Sequence, residues 1–338
     1  MTSLQGVAAR HFPILTQRLA ARSARAEVRR SSARVAAVRA NLRRIFPDAA
    51  EERVETWVAD LFGYGYRNRL EVRGYDAMSA AQLRAHCRSS VTVRGAEHLE
   101  VALAAPNPIV LFTPHFGNYA LGAVWLALAV EGRKPLLYFY DPPERNPFAP
   151  VLRRLLDKLG CNAEAIHNDR TAVRKALKGL RSGAVLTMMP DVFQYDRASL
   201  YVPMFGHFTM AMPGTAFFAL KSDATLLPFY CHREPSGDVF RFDAPLALER
   251  TGNDLDDQYR LTARVVANME QHITEQPALW AYWETIFDRL APVARLPRDG
   301  ETWEDRFRDL GTMMIAQHRG PAGFFARFEE RYGARSTP

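Results

Sequence analysis

The fold is decided by one stretch of the sequence, Ile109-Val110-Leu111-Phe112-Thr113-Pro114-His115-Phe116-Gly117-Asn118. Its first four residues are all apolar, which is typical of a strand buried on both faces of a parallel sheet. Such sheets bind their ligands beyond the carboxyl ends of the strands, and His115 lies just past this end. Gly117 and Asn118 allow a tight turn into a predicted helix over 119–130. A lone histidine more often bonds a loop than catalyses, so its role depends on the rest of the chain.

Apolar runs and helical patterns alternate through the central part of the chain. These segments cover 109–113, 119–130, 136–140, 147–160, 171–182, 184–189, 214–222 and 225–230. The alternation predicts an α/β fold with a central, mixed and mostly parallel sheet that is flanked by helices. Asn146 and Pro147 predict the N-cap and first position of one helix, which should end at Gly160. The next helix should face inward with Val173, Ala176, Leu177 and Leu180.

We predict three regions: a basic helical segment over 1–90, an α/β core over 91–290 and a C-terminal helical extension over 291–338. The first 46 residues contain ten arginines and a single acid, Glu27. An amphipathic helix over 31–46 should carry Val35, Val38, Leu42 and Ile45 on one face. This helix could lie on an anionic membrane, bind an acidic carrier protein or pack on the core with a solvated arginine face. Nucleic acid ranks last, because aromatic residues are not interleaved with the arginines.

The composition indicates where in the cell the protein is located and whether it can form a large core. The chain has 338 residues with 48% hydrophobic content, enough for a large core. Cys87, Cys161 and Cys231 form no CxxC pair, which favours a reduced cytoplasmic location and predicts no zinc site. No apolar run reaches the roughly 18 residues of a membrane span, so we expect a cytoplasmic or peripherally attached protein at the inner face of the membrane. We expect no metal and no redox cofactor.

A second buried strand, over 184–189, ends at Pro190-Asp191. Asp191 and His115 should therefore meet at the same edge of the sheet. Gly214 and Thr215 open a later helix, whose N-terminus can hold an anion. The chain has no GxSxG elbow, Walker A loop, GxGxxG or HExxH. A histidine base with arginines suits acyl transfer, in which the hydroxyl or amine of the acceptor attacks a thioester directly.

These residues resemble the lipid A late acyltransferases (lauroyl and myristoyl transferases), a branch of the glycerolipid acyltransferase superfamily. The resemblance covers about 34–289. It is carried by Asn41-Leu42-Arg43-Arg44-Ile45-Phe46-Pro47, His115-Phe116-Gly117-Asn118-Tyr119, Asn146-Pro147, Asp169-Arg170, Asp191, Arg197, Leu200-Tyr201-Val202-Pro203-Met204-Phe205-Gly206, Pro213-Gly214-Thr215-Ala216, Leu226-Leu227-Pro228 and Trp280-Ala281-Tyr282-Trp283. It implies the fold and an acyl donor on acyl or peptidyl carrier protein or on coenzyme A. It also implies that Arg170, Arg197 and Tyr119 line the substrate pocket.

One departure from the family concerns the catalytic motif. The family signature is H-x4-D/E, and here Ala120 stands where the acid that orients the histidine is expected. Asp191 is the first candidate to replace that acid, followed by Asp141 and Glu144. Asn118 could instead fix the imidazole tautomer without a charge.

The favoured hypothesis is an acyltransferase with His115 as general base, acting on an amine or hydroxyl in specialised metabolite or lipid biosynthesis. Lipid A itself is disfavoured as the acceptor because of Ala120. One alternative is a non-catalytic subunit that binds an acyl chain or a carrier protein. Another is hydrolysis or cyclisation of a thioester on the same fold.

Overall fold

The computed structural model describes residues 4–286 apart from 142, 145, 147, 193–199 and 235. Arg197 and the predicted extension over 291–338 lie outside the described residues. The ten helices of the described part are α1 Leu4–Arg30, α2 Ala33–Ile45, α3 Glu51–Ala77, α4 Ala80–Ser89, α5 Ala96–Ala104, α6 Tyr119–Ala129, α7 Ala149–Leu159, α8 Ala172–Arg181, α9 Gly214–Ser222 and α10 Asp254–Glu275. The strands are β1 Val91–Arg94, β2 Ile109–Phe112, β3 Leu136–Tyr140, β4 Ala163–His167, β5 Val185–Met188, β6 Leu200–Met204, β7 His207–Ala211, β8 Thr225–Glu234 and β9 Gly237–Phe242.

Seven strands form the central sheet in the order β1-β9-β8-β2-β5-β3-β4. Only β8 and β9 pair antiparallel, and all other neighbours in this sheet are parallel. The predicted α/β fold with a mixed, mostly parallel sheet is confirmed. β2 lies at its centre, and its four residues are fully buried as the unbroken apolar run predicts. Strands β6 and β7 form a separate antiparallel hairpin.

The helices before β1 are packed on the body of the protein. α1, which the sequence analysis did not assign, packs along α3. The apolar stripe of α2 is core, since Val35, Val38 and Leu42 are at most 1% exposed. Three of its arginines form ion pairs with acids: Arg34 with Glu284, Arg39 with Glu55 and Arg43 with Glu51. For α2 the structure therefore favours packing on the core over insertion of this stripe into a membrane.

Two local predictions need correction. Helix α7 begins at Ala149, and Asn146 precedes it by three residues, so the predicted cap at Asn146-Pro147 is wrong. The Asn146 side chain instead accepts a hydrogen bond from the Phe148 N–H at 3.0 Å. In α8, Val173 is 49% exposed, because the buried line runs through Ala172, Ala176 and Leu180 beside it. The predicted end of α7 at Gly160 is confirmed, with φ of 66°.

None of the helices in the described ranges is both long and apolar enough to span a bilayer.

Candidate active site

The ends of β2 and β5 lie side by side and bring two polar residues together. Phe112 pairs with Met188, and the Thr113 N–H donates to the Met188 carbonyl at 3.0 Å. The two chains therefore leave the sheet at the same point. His115 and Asp191, each three residues past its strand, meet there. The predicted convergence of these two residues is confirmed.

Asp191 contacts His115 through both carboxylate oxygens. Oδ1 lies 2.9 Å from Nδ1 of the imidazole, and Oδ2 accepts the His115 backbone N–H at 2.7 Å. The Asp191 side chain is fully buried, whereas that of His115 is 18% exposed. An ionised carboxylate can only accept hydrogen bonds, so Nδ1 carries the proton. This leaves the lone pair on Nε2, where it can take a proton from another molecule.

A third group, the indole of Trp280, binds the same carboxylate. The indole N–H of Trp280 donates to Oδ2 of Asp191 at 3.0 Å, and Trp280 itself is fully buried. Trp280 belongs to a segment that is hydrogen-bonded to the loop carrying His115. This loop, residues 113–118, is called the histidine loop below. The Gly117 N–H donates to the Leu279 carbonyl at 2.8 Å, and the Ala281 N–H to the His115 carbonyl at 3.0 Å. Trp280 is one of the residues that match the family, and its contact with Asp191 was not predicted from the sequence.

Two tyrosine rings flank the imidazole. The ring centroids of Tyr119 and Tyr282 lie 5.2 and 5.0 Å from that of His115, both edge to face. Burial and the charge of Asp191 raise the pKa of Tyr119, against a smaller lowering by Arg69. The hydroxyl of Tyr119 therefore stays protonated and can donate a hydrogen bond. The ring of Tyr119 lies beside the imidazole.

Asn118 does not contact the imidazole. Its Nδ2 donates to Asp238 at 2.7 Å, to Tyr75 at 3.1 Å and to Glu71 at 3.3 Å. Its Oδ1 accepts from the Leu121 N–H, which makes Asn118 the N-cap of α6. The expectation that Asn118 fixes the histidine tautomer is therefore corrected. Its amide anchors the loop to a buried charged cluster instead.

That cluster, made of Glu71, Arg233 and Asp238, lies behind the histidine loop. Arg233 donates to Glu71 at 2.5 Å and lies 3.3 Å from Oδ1 of Asp238. All three side chains are at most 8% exposed. Burial raises the pKa of Glu71, but Arg233 and Arg67 lower it further, so the net shift is downward. Burial is the main cause of the raised pKa of Asp238.

The other candidate acids stand away from the histidine. Asp141 accepts a hydrogen bond from Asn168 at 3.2 Å, and Glu144 is exposed. Among the described residues, Asp191 is the acid that the structure places on His115. Ala120, at the position of the expected acid, is buried on α6 with 3% of its surface exposed.

The structure places Arg170 away from the imidazole. Arg170 is exposed beyond β4, which is three strands from β2. At roughly 4.8 Å per strand, that places it about 14 Å along the sheet edge. Gly214 and Thr215 begin α9, and the buried Thr215 lines a narrow pocket between α9 and α10. Their roles in substrate binding stay predictions, as does that of Arg197.

Comparisons with known proteins identify the family of the chain. A family model for bacterial lipid A biosynthesis acyltransferases matches residues 6–287. The chain belongs to this family. A phosphatidylinositol mannoside acyltransferase of Mycobacterium tuberculosis is 28% identical over 192 residues, which is 56% of this chain and 57% of the relative. A lipid A biosynthesis acyltransferase of Haemophilus influenzae is 23% identical over 267 residues, covering 78% of this chain and 77% of the relative.

A shorter match concerns a lipid A biosynthesis lauroyltransferase of Escherichia coli. It is 30% identical over 150 residues, or 44% of this chain and 46% of the relative. The chain thus spans a little over half the length of the mycobacterial relative and less than half of this one. The resemblance inferred from the motifs is confirmed by the family match.

Proposed function

We propose that this protein transfers an acyl group from a thioester, on a carrier protein or on coenzyme A, to a hydroxyl or amine of an acceptor. The observation that carries the proposal is the contact between Nδ1 of His115 and Asp191 at 2.9 Å. It orients the imidazole with Nε2 free and stabilises the positive charge that the ring acquires when it accepts a proton.

The reaction would proceed by direct attack. Nε2 of His115 takes the proton of the acceptor hydroxyl or amine as its oxygen or nitrogen bonds to the thioester carbonyl carbon. The carbon–sulfur bond then breaks, and the imidazolium returns its proton to the leaving thiolate. Asp191 stays ionised throughout and holds the ring in place. The protonated hydroxyl of Tyr119 is available to donate a hydrogen bond to a substrate oxygen.

A lipid acceptor regains support from the position of Asp191. One argument against lipid A as the acceptor was the missing acid at Ala120, and Asp191 supplies a carboxylate at the imidazole from another strand. The relatives are named for phosphatidylinositol mannoside and lipid A, both of which are glycolipids. We therefore propose a lipid or a specialised metabolite as the acceptor. A glycolipid hydroxyl and an amine carried on a carrier protein are the two acceptors to compare.

Intact-mass spectrometry of an acyl-loaded carrier protein tests this proposal. The full-length protein is incubated with acyl carrier protein or acyl coenzyme A and with glycolipid, amine, alcohol or water as acceptor. We expect loss of the acyl group from the donor and a matching mass gain on the acceptor, and no reaction with His115→Ala. Free fatty acid as the product would indicate hydrolysis. Retention of the loaded carrier on a sizing column without turnover would indicate a binding subunit and contradict the proposal.

A further inference from the structure

Two buried histidines face each other behind the histidine loop. His232 lies on β8 and His272 on α10, and Nε2 of His232 is 3.0 Å from Nδ1 of His272. His272 is fully buried and His232 is 6% exposed. Neither residue touches the His115–Asp191 pair, and acyl transfer as proposed above does not use them. The proposed reaction therefore does not explain why these two histidines are paired.

The outer nitrogen of each ring already faces an acceptor. Nε2 of His272 lies 2.8 Å from Oδ2 of Asp243, and Nδ1 of His232 lies 3.0 Å from Oε1 of Gln276. If both outer nitrogens donate, both inner nitrogens carry lone pairs. Two lone pairs that face each other at 3.0 Å repel unless a cation lies between them. A histidine that donates its second nitrogen to a carboxylate or carbonyl is the usual arrangement of a metal ligand.

A third ligand stands next to this pair. Glu275, one turn after His272 on α10, has a carboxylate oxygen that lies within 4.8 Å of one ring nitrogen of each histidine, and those two nitrogens lie within 4.8 Å of each other. Glu275 is exposed, so its side chain can move toward the histidines and an ion can enter from solvent. Zinc bound at 2.0–2.1 Å by tetrahedral nitrogens separates them by about 3.3 Å, close to the observed distance.

We propose that His232, His272 and Glu275 bind one zinc ion, with water in the fourth position. Two imidazoles and one carboxylate are ligands that zinc prefers. Such an ion would tie β8 to α10. It would also support the histidine loop, since the Phe116 ring packs against that of His232 with centroids 5.1 Å apart. The absence of a CxxC pair predicted no zinc site. His232 and His272 are forty residues apart and form no compact motif that could have indicated one.

A variant of Arg241 should raise the zinc affinity, whereas variants of the ligands should lower it. The guanidinium of Arg241 lies 3.5 Å from Glu275 and 3.0 Å from Asp243. A cation at this place repels zinc and competes for the carboxylate of Glu275. Arg241→Gln should therefore tighten zinc binding, whereas loss of a ligand should weaken it.

The experiment is a zinc titration of the full-length protein after treatment with EDTA, against a chromophoric competitor. Elemental analysis of the protein gives the stoichiometry, and thermal unfolding is followed in parallel. We expect one equivalent of zinc and a zinc-dependent rise in Tm. Because loss of an outer partner alone costs about 10–100-fold in metal affinity, Glu275→Gln and His272→Asn should each weaken binding by at least about 100-fold. Glu275 is exposed, so its variant tests the site even if His272→Asn fails to fold.

Glu164→Gln, an exposed glutamate on β4, is the matched control and should leave zinc binding unchanged. Zinc binding at less than one equivalent, or equal affinity in the wild type and in Glu275→Gln, would overturn the proposal. In that case Gln276 presents its NH₂ group to His232, and the two rings form a neutral hydrogen-bonded chain that ends on Asp243. Neither outcome depends on acyl transfer, so the result is independent of the proposed function.

Discussion

The indole N–H of Trp280 donates to Oδ2 of Asp191 at 3.0 Å, while the other oxygen of the same carboxylate binds His115. The backbone N–H of His115 donates to Oδ2 as well. Asp191 is therefore fixed by donors on both oxygens, and each of them stabilises its ionised form. Trp280 acts on the histidine through Asp191, which makes it a positioning residue of the proposed reaction.

Trp280→Phe keeps most of the packing and removes this hydrogen bond. A hydrogen bond to a charged group is worth about 1.5–3 kcal/mol, so we expect kcat to fall about 10- to 100-fold. KM should change little, because Trp280 is fully buried and acts through Asp191. The loss should appear in the kcat of the folded enzyme, which a purely structural change would leave unaltered.

Trp283→Phe is the matched control for that measurement. Trp283 is also fully buried and donates its indole N–H to the Pro277 carbonyl at 2.7 Å. This variant should lose similar stability and keep the wild-type kcat. If Trp280→Phe lowers Tm as much as Trp283→Phe but leaves kcat unchanged, Trp280 has only a structural role.

Asp191→Asn should lower kcat by about 10²–10⁴-fold, since a general base contributes about that much in rate and needs the correct tautomer. An asparagine can present its NH₂ to Nδ1 and reverse the proton positions on the ring. Steady-state kinetics with a thioester donor measure the effect. Asp157→Asn, on the exposed side of α7, should keep wild-type kcat. A kcat within threefold of wild type for Asp191→Asn would remove this residue from the mechanism.

Ala120→Glu restores the family motif in sequence but should not restore function. Ala120 is 3% exposed, and a carboxylate there would be a buried charge without a partner. We expect the free energy of unfolding to fall by about 3–5 kcal/mol. Urea unfolding gives this value, with Ala40→Glu on the exposed surface of α2 as the comparison. A higher kcat in Ala120→Glu, or in its combination with Asp191→Asn, would show that the site lacks an acid at 120.

The meeting of His115 and Asp191 could be predicted from the sequence, and the position of Arg170 could not. Both results have the same physical origin. Unbroken apolar runs identify parallel buried strands, whose carboxyl ends share an edge. The order of strands within that edge is set by tertiary packing, which places β4 three strands from β2. Local patterns contain no signal for that order.

The contacts of Trp280 and Asn118 escaped prediction for a related reason. Trp280 lies 89 residues after Asp191, and Asn118 reaches Asp238 over a separation of 120 residues. Neither pair forms a short motif. An asparagine after a strand was interpreted as a partner of the neighbouring histidine, whereas the buried charges of Asp238 and Glu71 compete better for its amide.

Arg233→Met should be strongly destabilising. Arg233 is the cation between Glu71 and Asp238, and its removal leaves two buried carboxylates uncompensated. We expect a loss of about 3–5 kcal/mol at pH 7 by urea unfolding. Arg94→Met, which breaks an exposed pair with Glu234, should cost at most about 1 kcal/mol. Equal costs for the two variants would contradict the role given to the cluster.

The pH dependence of the Arg233→Met effect follows from Glu71. Its pKa in the folded protein is lowered by Arg233 and Arg67 despite burial. The corresponding stability is present above the unfolded pKa, about 4.3, and is lost as the pH falls through the lower folded value. The difference between wild type and variant should therefore shrink below about pH 4.

Gly117→Ala should disable the histidine loop. Gly117 has φ of 59°, and a Cβ atom there would clash with the backbone carbonyl oxygen of Cys231, which cannot move out of β8 without breaking the sheet. We expect the free energy of unfolding to fall by at least about 2 kcal/mol more than in Gly132→Ala. Gly132 is the matched control, because its φ of 72° carries the same strain but its Cβ would meet open space. Urea unfolding of both variants separates the cost of the clash from the cost of the positive φ. The kcat value should fall only in Gly117→Ala. Equal stabilities for the two variants would mean that the approach of the loop to β8 is not tight in solution, and the fixed position of His115 would then need another cause.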